Sequence, residues 1–92
     1  MSQRIDFSNR FVKHFRKAPL EIKEATRKRI EIFTIDRYSQ VLNNHQLTGS
    51  FRGYRSINIT GDWRAIYREY IDDKGKEVVV FESLGTHSRL YK

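Results

Sequence analysis

The spacing of apolar positions divides the chain into a helical first part and a strand-rich second part. Residues 4–7 predict a short strand, and Ser8 is a good N-cap for a helix that ends before Pro19. A second helix is expected to have Pro19 as its first residue and to continue to about Tyr38. Its apolar face is expected to contain Ile22, Ala25, Ile30, Ile32, Phe33 and Ile35.

From residue 54 onwards, apolar and polar residues alternate as they do in half-buried strands. Residues 43–53, NNHQLTGSFRG, are polar and predict a loop with a single turn of structure. Strands are expected over residues 54–60, 63–70 and 77–84, with tight turns at 60–62 and 72–75. The order β-α-α-β-β-β predicts an α+β fold, in which two N-terminal helices pack on one face of a small, mainly antiparallel sheet. The other face of the sheet is then available for chemistry.

Alternation also predicts which strand residues lie on that available face. In the first strand of the meander, Ser56 and Asn58 are expected opposite Arg55, Ile57 and Ile59. In the next strand, Trp63, Ala65 and Tyr67 are expected to face the helices. Arg64 and Arg68 would then share the available face with Asp62 and form a plausible platform for phosphate.

The chain of 92 residues is expected to form a single domain over residues 1–92. It has no Cys, which excludes a disulfide framework and a thiolate metal site. The longest uncharged apolar run, residues 78–81, is far too short to span a bilayer. The sequence therefore predicts a cytoplasmic protein with no membrane partner and no cofactor.

Charge and aromatic content point to a polyanionic partner. Eighteen Lys and Arg against eleven Asp and Glu give a formal net charge of +7, which suits RNA, DNA or an acidic protein as well as a merely solvated basic surface. Tyr54, Tyr70 and Tyr91 fall beside Arg or Lys near strand ends, where an aromatic ring can stack an unpaired base or simply cap the edge of the core. The core is expected to hold Phe7, Phe11, Phe15, Phe33, Trp63 and Tyr67.

Metal-free cleavage of RNA requires a proton acceptor, a proton donor and a fixed cation at the phosphate. His87 and Asp62 are candidates, although each could equally be an ordinary turn residue, and His14 is expected at the surface or the core edge. The chain contains neither CxxC nor HExxH, and it has no phosphate-binding P-loop and no GxSxG elbow. No metal ligand is assigned.

The segment HQLTGSFRGYRSINITGDWRAIY, followed at the last strand by FESLGTHSRLY, resembles the RelE/YafQ-type toxins of bacterial toxin–antitoxin systems. The resemblance covers essentially the whole chain and rests on the His-x-Leu-x-Gly, Gly-Tyr-Arg-Ser, Gly-Asp-Trp and Gly-Thr-His-Ser pieces. It implies a small basic endoribonuclease that cleaves mRNA, generally at the ribosomal A site. It also implies mRNA, the ribosome and a co-expressed acidic antitoxin as partners.

The resemblance assigns roles to individual residues. His87 matches the histidine of the Gly-Thr-His piece and is expected to act as general acid, with Asp62 or His45 as the base. Arg64 is expected to contact phosphate, and Tyr91 to stack on a base or orient the substrate. The residues expected to bind RNA or phosphate are Arg52, Tyr54, Arg55, Asn58, Arg68 and Arg89.

Two positions depart from the family pattern. Asn58 stands where YafQ-like toxins have a second histidine, and Ser83 where they have an active-site arginine; Arg64 and Arg89 could replace that cation. The departures keep a second reading open, an inactive toxin that serves as an antitoxin-binding module. A third reading is a ParE-like poison of a topoisomerase, in which the His and Asp pieces would have no evident use.

Overall fold

The fold is a mixed sheet with helices on one side, as seen in a computed structural model that describes residues 3–91. The elements in chain order are β1 (Arg4–Phe7), α1 (Asn9–Lys17), α2 (Leu20–Ile35), β2 (His45–Gln46), β3 (Arg55–Asn58), β4 (Trp63–Ile71), β5 (Glu77–Thr86) and α3 (His87–Leu90). Single 3-10 turns occur at Gln40–Leu42 and Gly49–Phe51. Across residues 3–91, no helix is both long enough and apolar enough to cross a membrane.

The sheet has the order β1-β5-β4-β3-β2, with β1 parallel to β5 and all other neighbours antiparallel. The predicted α+β class and mainly antiparallel sheet are confirmed. The prediction of a loop over residues 43–53 was incomplete, because His45–Gln46 pairs with β3 as a fifth strand at the sheet edge. Two residues are too few to produce an alternating pattern in the sequence, so this strand is recognisable only from its pairing with β3.

The predicted helix boundaries hold at the first helix and shift at the second. Ser8 caps α1, since its Oγ accepts the Phe11 amide at 3.0 Å. Pro19 is the N-cap of α2 rather than its first residue, because its ψ of 153° is extended. The helix ends at Ile35 instead of near Tyr38, and the backbone then turns around a hydrogen bond from the Tyr38 amide to Asp36 Oδ1.

The core lies between α1, α2 and the facing side of β3, β4 and β5. Phe33 of α2 contacts Tyr67 and Phe81 edge-on, with ring centroids 5.0 and 5.3 Å apart. Ala65 and Tyr67 are fully buried in this layer, as predicted for β4, whereas Ile66, which alternation places on the other face, is buried there as well.

Two residues predicted for the core lie outside it. Phe7 is 44% exposed because it lies at the end of the edge strand β1, where it stacks on Phe81 from the side. Ile35 is 82% exposed because it follows the buried Phe33 by two positions, which is about 200° around a helix of 3.6 residues per turn.

Replacing Phe33 with Ala should lower the free energy of unfolding by about 3–5 kcal/mol, because a fully buried ring is lost and a cavity remains. Replacing Ile35 with Ala in the same helix should change it by no more than about 0.5 kcal/mol. Urea unfolding of both variants measures the difference. Equal losses in the two variants would contradict the assigned packing of α2.

Candidate active site

The pairing of β4 with β5 brings two of the predicted catalytic residues together. Trp63 at the start of β4 is opposite Thr86 at the end of β5, so the residues just outside the pair, Asp62 and His87, are adjacent. The His87 amide donates to the Asp62 carbonyl at 2.8 Å. Both side chains are exposed, and they can therefore meet a large substrate at this end of the sheet.

Tyr91 is held over the sheet by contacts from three directions. The single turn of α3 places its ring 4.7 Å from the His87 ring. Its hydroxyl donates to Ser56 Oγ at 3.1 Å, and the Phe51 ring meets it edge-on at 5.6 Å. Ser56 is completely buried, so it is a fixed anchor for an otherwise terminal side chain.

His45 lies on the same face, because it is directly opposite Ser56 in the pairing of β2 with β3. Its Nδ1 lies 2.8 Å from the Asn43 carbonyl, and since a carbonyl can only accept, Nδ1 carries the proton. When the ring is neutral, Nε2 is therefore the nitrogen with a free lone pair. We refer to the three candidate catalytic residues His45, His87 and Tyr91, together with Ser56 that anchors Tyr91, as the catalytic cluster.

Arg64 supplies positive charge beside this cluster. Its Nη1 donates at 3.0 to 3.2 Å to three backbone carbonyls, those of Thr60, Gly61 and Trp63. Carbonyls orient the guanidinium without neutralising its charge. Asn58 is opposite Arg64 in the sheet, and its buried Oδ1 has no hydrogen-bond partner within residues 3–91.

Two of the arginines predicted to bind RNA lie away from the catalytic cluster. Arg55 is on the helix side, where its Nε donates to Asn44 Oδ1 at 2.8 Å and its guanidinium lies over Tyr38. Asn44 in turn donates to the hydroxyl of Tyr67, whose pKa is raised above its ordinary value of 10.0 by burial. Arg55 therefore supports the core edge.

Arg68 lies on the same sheet face as Arg64, four residues further along β4. Its guanidinium lies 5.2 Å from the centre of the Tyr70 ring and its Nε is 3.5 Å from Glu82 Oε2. The predicted RNA-binding residues Arg52 and Arg89 are exposed, on the loop before β3 and on α3.

Ser56 and Phe51, which position Tyr91, were not predicted as site residues. The alternation of β3 placed Ser56 on the available face, but nothing local indicated which side chain would reach it across 35 residues of chain. As for a metal, no three His, Asp or Glu side chains gather as ligands anywhere in the described chain. Chemically, the catalytic cluster offers two imidazoles and two hydroxyls, and the Asp62 carboxylate and the oriented Arg64 guanidinium lie beside it.

The chain is similar to known proteins in both sequence and fold. Residues 3–92 match the family described as the bacterial toxin of a type II toxin–antitoxin system, YafQ. The mRNA interferase toxin YafQ of Escherichia coli strain K12 is 39% identical over 51 residues, which are 55% of this chain and 50% of that protein. That aligned stretch spans about half the length of the curated relative.

Solved structures match over most or all of the chain. YafQ in the E. coli DinJ-YafQ toxin-antitoxin complex superimposes with a TM-score of 0.76 at 25% identity, covering 100% of both chains. A YoeB/ParE toxin from Agrobacterium tumefaciens gives a TM-score of 0.74 at 15% identity, covering 92% of this chain and 99% of that one. The second match is informative about the fold alone.

His14 joins α1 to the sheet close to the cluster. Its Nδ1 accepts the Leu84 amide at 3.2 Å, so that nitrogen must be unprotonated. Burial lowers the pKa of His14 below its ordinary value of 6.5, and the nearby charges of Arg10, Arg89 and Lys17 lower it further. Protonation therefore opposes folding at this position.

The free energy of unfolding should consequently fall as the pH is lowered below about 6.5, because the unfolded chain binds a proton on His14 that the folded chain resists. The loss should continue until the lowered folded pKa is passed. His14→Gln keeps an acceptor for the Leu84 amide but cannot titrate, so its stability should depend less steeply on pH between 7 and 5. Urea unfolding at several pH values measures both slopes, and identical slopes would contradict this role.

Proposed function

The chain belongs to the YafQ family of bacterial toxins of type II toxin–antitoxin systems, and from this we propose that it is an endoribonuclease that cleaves mRNA. The observation that carries the proposal is the catalytic cluster. In it, Tyr91 contacts the His87 ring and bonds to Ser56, which is the residue opposite His45 in the sheet. We further propose that cleavage takes place at the ribosomal A site and proceeds without a metal ion.

In the proposed reaction, the 2′-hydroxyl attacks the adjacent phosphorus and the bond from phosphorus to the 5′-oxygen breaks. His45 Nε2 or the Asp62 carboxylate takes the proton from the 2′-hydroxyl, and His87 gives a proton to the departing 5′-oxygen. The products are a 2′,3′-cyclic phosphate and a 5′-hydroxyl. Each proton is thereby accounted for by a side chain of this chain.

Arg64 and Arg89 would stabilise the negative charge that gathers on the phosphoryl oxygens. The support for Arg64 is its carbonyl-held guanidinium, which needs little reorganisation when charge develops. Tyr91, fixed by Ser56 and Phe51, would orient the nucleotide against His87. Since these groups lie on an open edge, an RNA held and bent by the ribosome would supply the alignment that a closed pocket supplies in other enzymes.

The proposed second partner is an antitoxin with an acidic, partly disordered segment. A chain with a net charge of +7 attracts such a segment, and folding of the segment on binding would cover the catalytic cluster. The toxin–antitoxin complex of the E. coli relative supports this assignment.

His87→Ala should reduce mRNA cleavage by about 10²- to 10⁴-fold, because the departing oxygen loses its proton donor. The measurement is controlled expression in a bacterium without the antitoxin, followed by primer extension on a highly translated mRNA. Lys74→Ala is the matched control, since Lys74 is exposed in the β4–β5 turn at the opposite end of the nine-residue strand β4, on the order of 30 Å away. It should cut like the wild type.

Other outcomes would redirect the assignment. Wild-type cleavage that persists in His87→Ala would remove His87 as the acid. Growth arrest with intact mRNA would favour the topoisomerase poison, and expression without arrest would favour the antitoxin-binding module. New 5′ ends that carry phosphate instead of hydroxyl would contradict the metal-free reaction, as would cleavage at a site where the 2′-hydroxyl has been removed.

Affinity for the cognate antitoxin should fall at least about tenfold between roughly 0.1 and 0.5 M NaCl, because exposed charge pairs are screened. Titration calorimetry of the purified pair at several salt concentrations measures this. An antitoxin segment whose acidic residues are changed to amides is the control and should bind weakly at every concentration. A salt-insensitive complex would instead indicate that apolar contacts dominate.

A further inference from the structure

A pocket of about 430 Å³ lies on the sheet face next to the catalytic cluster. We call it the bulge pocket and define it by Arg10, Ser50, Phe51, Tyr54, Glu82 and Ser83. It combines two aromatic rings, a guanidinium, a carboxylate and three hydroxyls. None of the roles assigned above accounts for Arg10, Glu82 or Ser83.

The pocket depends on an irregularity of β5. Ile66 of β4 is opposite Ser83, whereas the next residue, Tyr67, is opposite Phe81, so Glu82 is an extra residue in β5. In a regular strand, Glu82 and Ser83 would point to opposite faces. The bulge lets both line the same pocket, which is how bulges re-aim a side chain near functional sites.

Backbone and side-chain contacts hold the bulge in place. Ser8 Oγ donates to the Glu82 carbonyl at 2.8 Å, and the Ser8 amide donates to the Phe81 carbonyl at 2.9 Å. Because Ser8 also caps α1, the bulge is tied to the helix layer. A carboxylate on such a support has a defined position.

The Glu82 carboxylate retains capacity to accept hydrogen bonds. Its ion pair within residues 3–91 is with Arg68 through one oxygen, Oε2, at 3.5 Å, which is long for a hydrogen bond. Its side chain is 26% exposed, so a ligand in the pocket can reach it. The other carboxylate oxygen is therefore available.

The bulge pocket and the catalytic cluster share a wall. Phe51 lines the pocket and also meets the Tyr91 ring edge-on. Across the sheet, Ser56 that anchors Tyr91 is opposite Ile66, which is in turn opposite Ser83 of the pocket. Two strand spacings, about 10 Å, separate the anchor of the cluster from the pocket.

We propose that the bulge pocket binds the nucleobase next to the cleaved bond and that Glu82 selects a base with an exocyclic amino group. The proposal rests on the mRNA cleavage proposed above. Phe51 and Tyr54 offer rings on which a base can stack, and Arg10 can hold the adjoining phosphate. The Glu82 carboxylate accepts only, so it pairs with the exocyclic amino groups of cytosine, adenine and guanine. Uracil has no amino group, and its N3–H donor is flanked by two carbonyl oxygens that repel the carboxylate.

Cytosine and uracil form the matched pair that tests this selection, since they have the same size and differ at C4, which carries an amino group or a carbonyl, and at the adjacent N3, which accepts or donates. The measurement is sequencing of mRNA 5′ ends after controlled expression of the wild type, Glu82→Gln and Glu77→Gln. At one of the two positions that flank the cut, wild type should favour cytosine over uracil by about tenfold. Glu82→Gln should reduce the ratio to within about threefold, because an amide can both donate and accept.

Glu77→Gln is the control, because it makes the same chemical change on the same strand, five residues before the bulged Glu82, at a carboxylate that is paired with Arg37 on the helix side. Its ratio should match the wild type. If Glu82→Gln lowers the thermal stability so far that it does not accumulate, Glu82→Asp draws the carboxylate back by one methylene and must also reduce the ratio.

The outcomes distinguish failure of the base-binding subsite from failure of the nuclease assignment. Wild-type cleavage with no cytosine preference at either flanking position overturns the subsite, as does an unchanged ratio in the Glu82 variants. In both cases the nuclease assignment stands. No cleavage by the wild type at all overturns the nuclease and the subsite together.

Discussion

The antiparallel pairing of β4 with β5 is the constraint on which the rest of the structure depends. Its inner face carries Tyr67 and Phe81, on which the helices pack, and its end fixes the separation of Asp62 and His87. A ladder of backbone hydrogen bonds sets this register, and a slip by one residue would exchange the two faces. The core and the candidate site therefore both require the same register of β4 with β5.

The candidate site combines exposed reactive groups with buried supports. His87 is exposed, as the proposed action on a large substrate would require, and its backbone is fixed by the Asp62 carbonyl. Tyr91 is held by a hydrogen bond to Ser56, whose full burial restricts its movement. Such an arrangement would limit the reorganisation that the proposed reaction requires, while the edge stays open to a large ligand.

Some arginines form ion pairs or hydrogen bonds with side chains of the protein, whereas others keep a charge that can attract a ligand. Arg37 is paired with Glu69 and Glu77 across the sheet edge, and Arg55 is held by Asn44. Arg64, in contrast, is bound by carbonyls that leave its charge in place. A surplus of this kind favours a polyanion over a neutral ligand, and both RNA and an acidic protein segment meet that requirement.

The sequence by itself determined the order of the elements, most of their ends and the faces of the strands, because caps, proline breaks, turns and alternation act over a few residues. Ser8, Pro19 and the turn that ends at Gly75, with its positive φ of 79°, are examples. Its motifs also indicated the toxin family, which the family match confirms. Only the tertiary structure decided the edge strand β2, the bulge at Glu82 and the bond from Tyr91 to Ser56. These depend on which distant segments pair and in which register, and no local pattern carries that information.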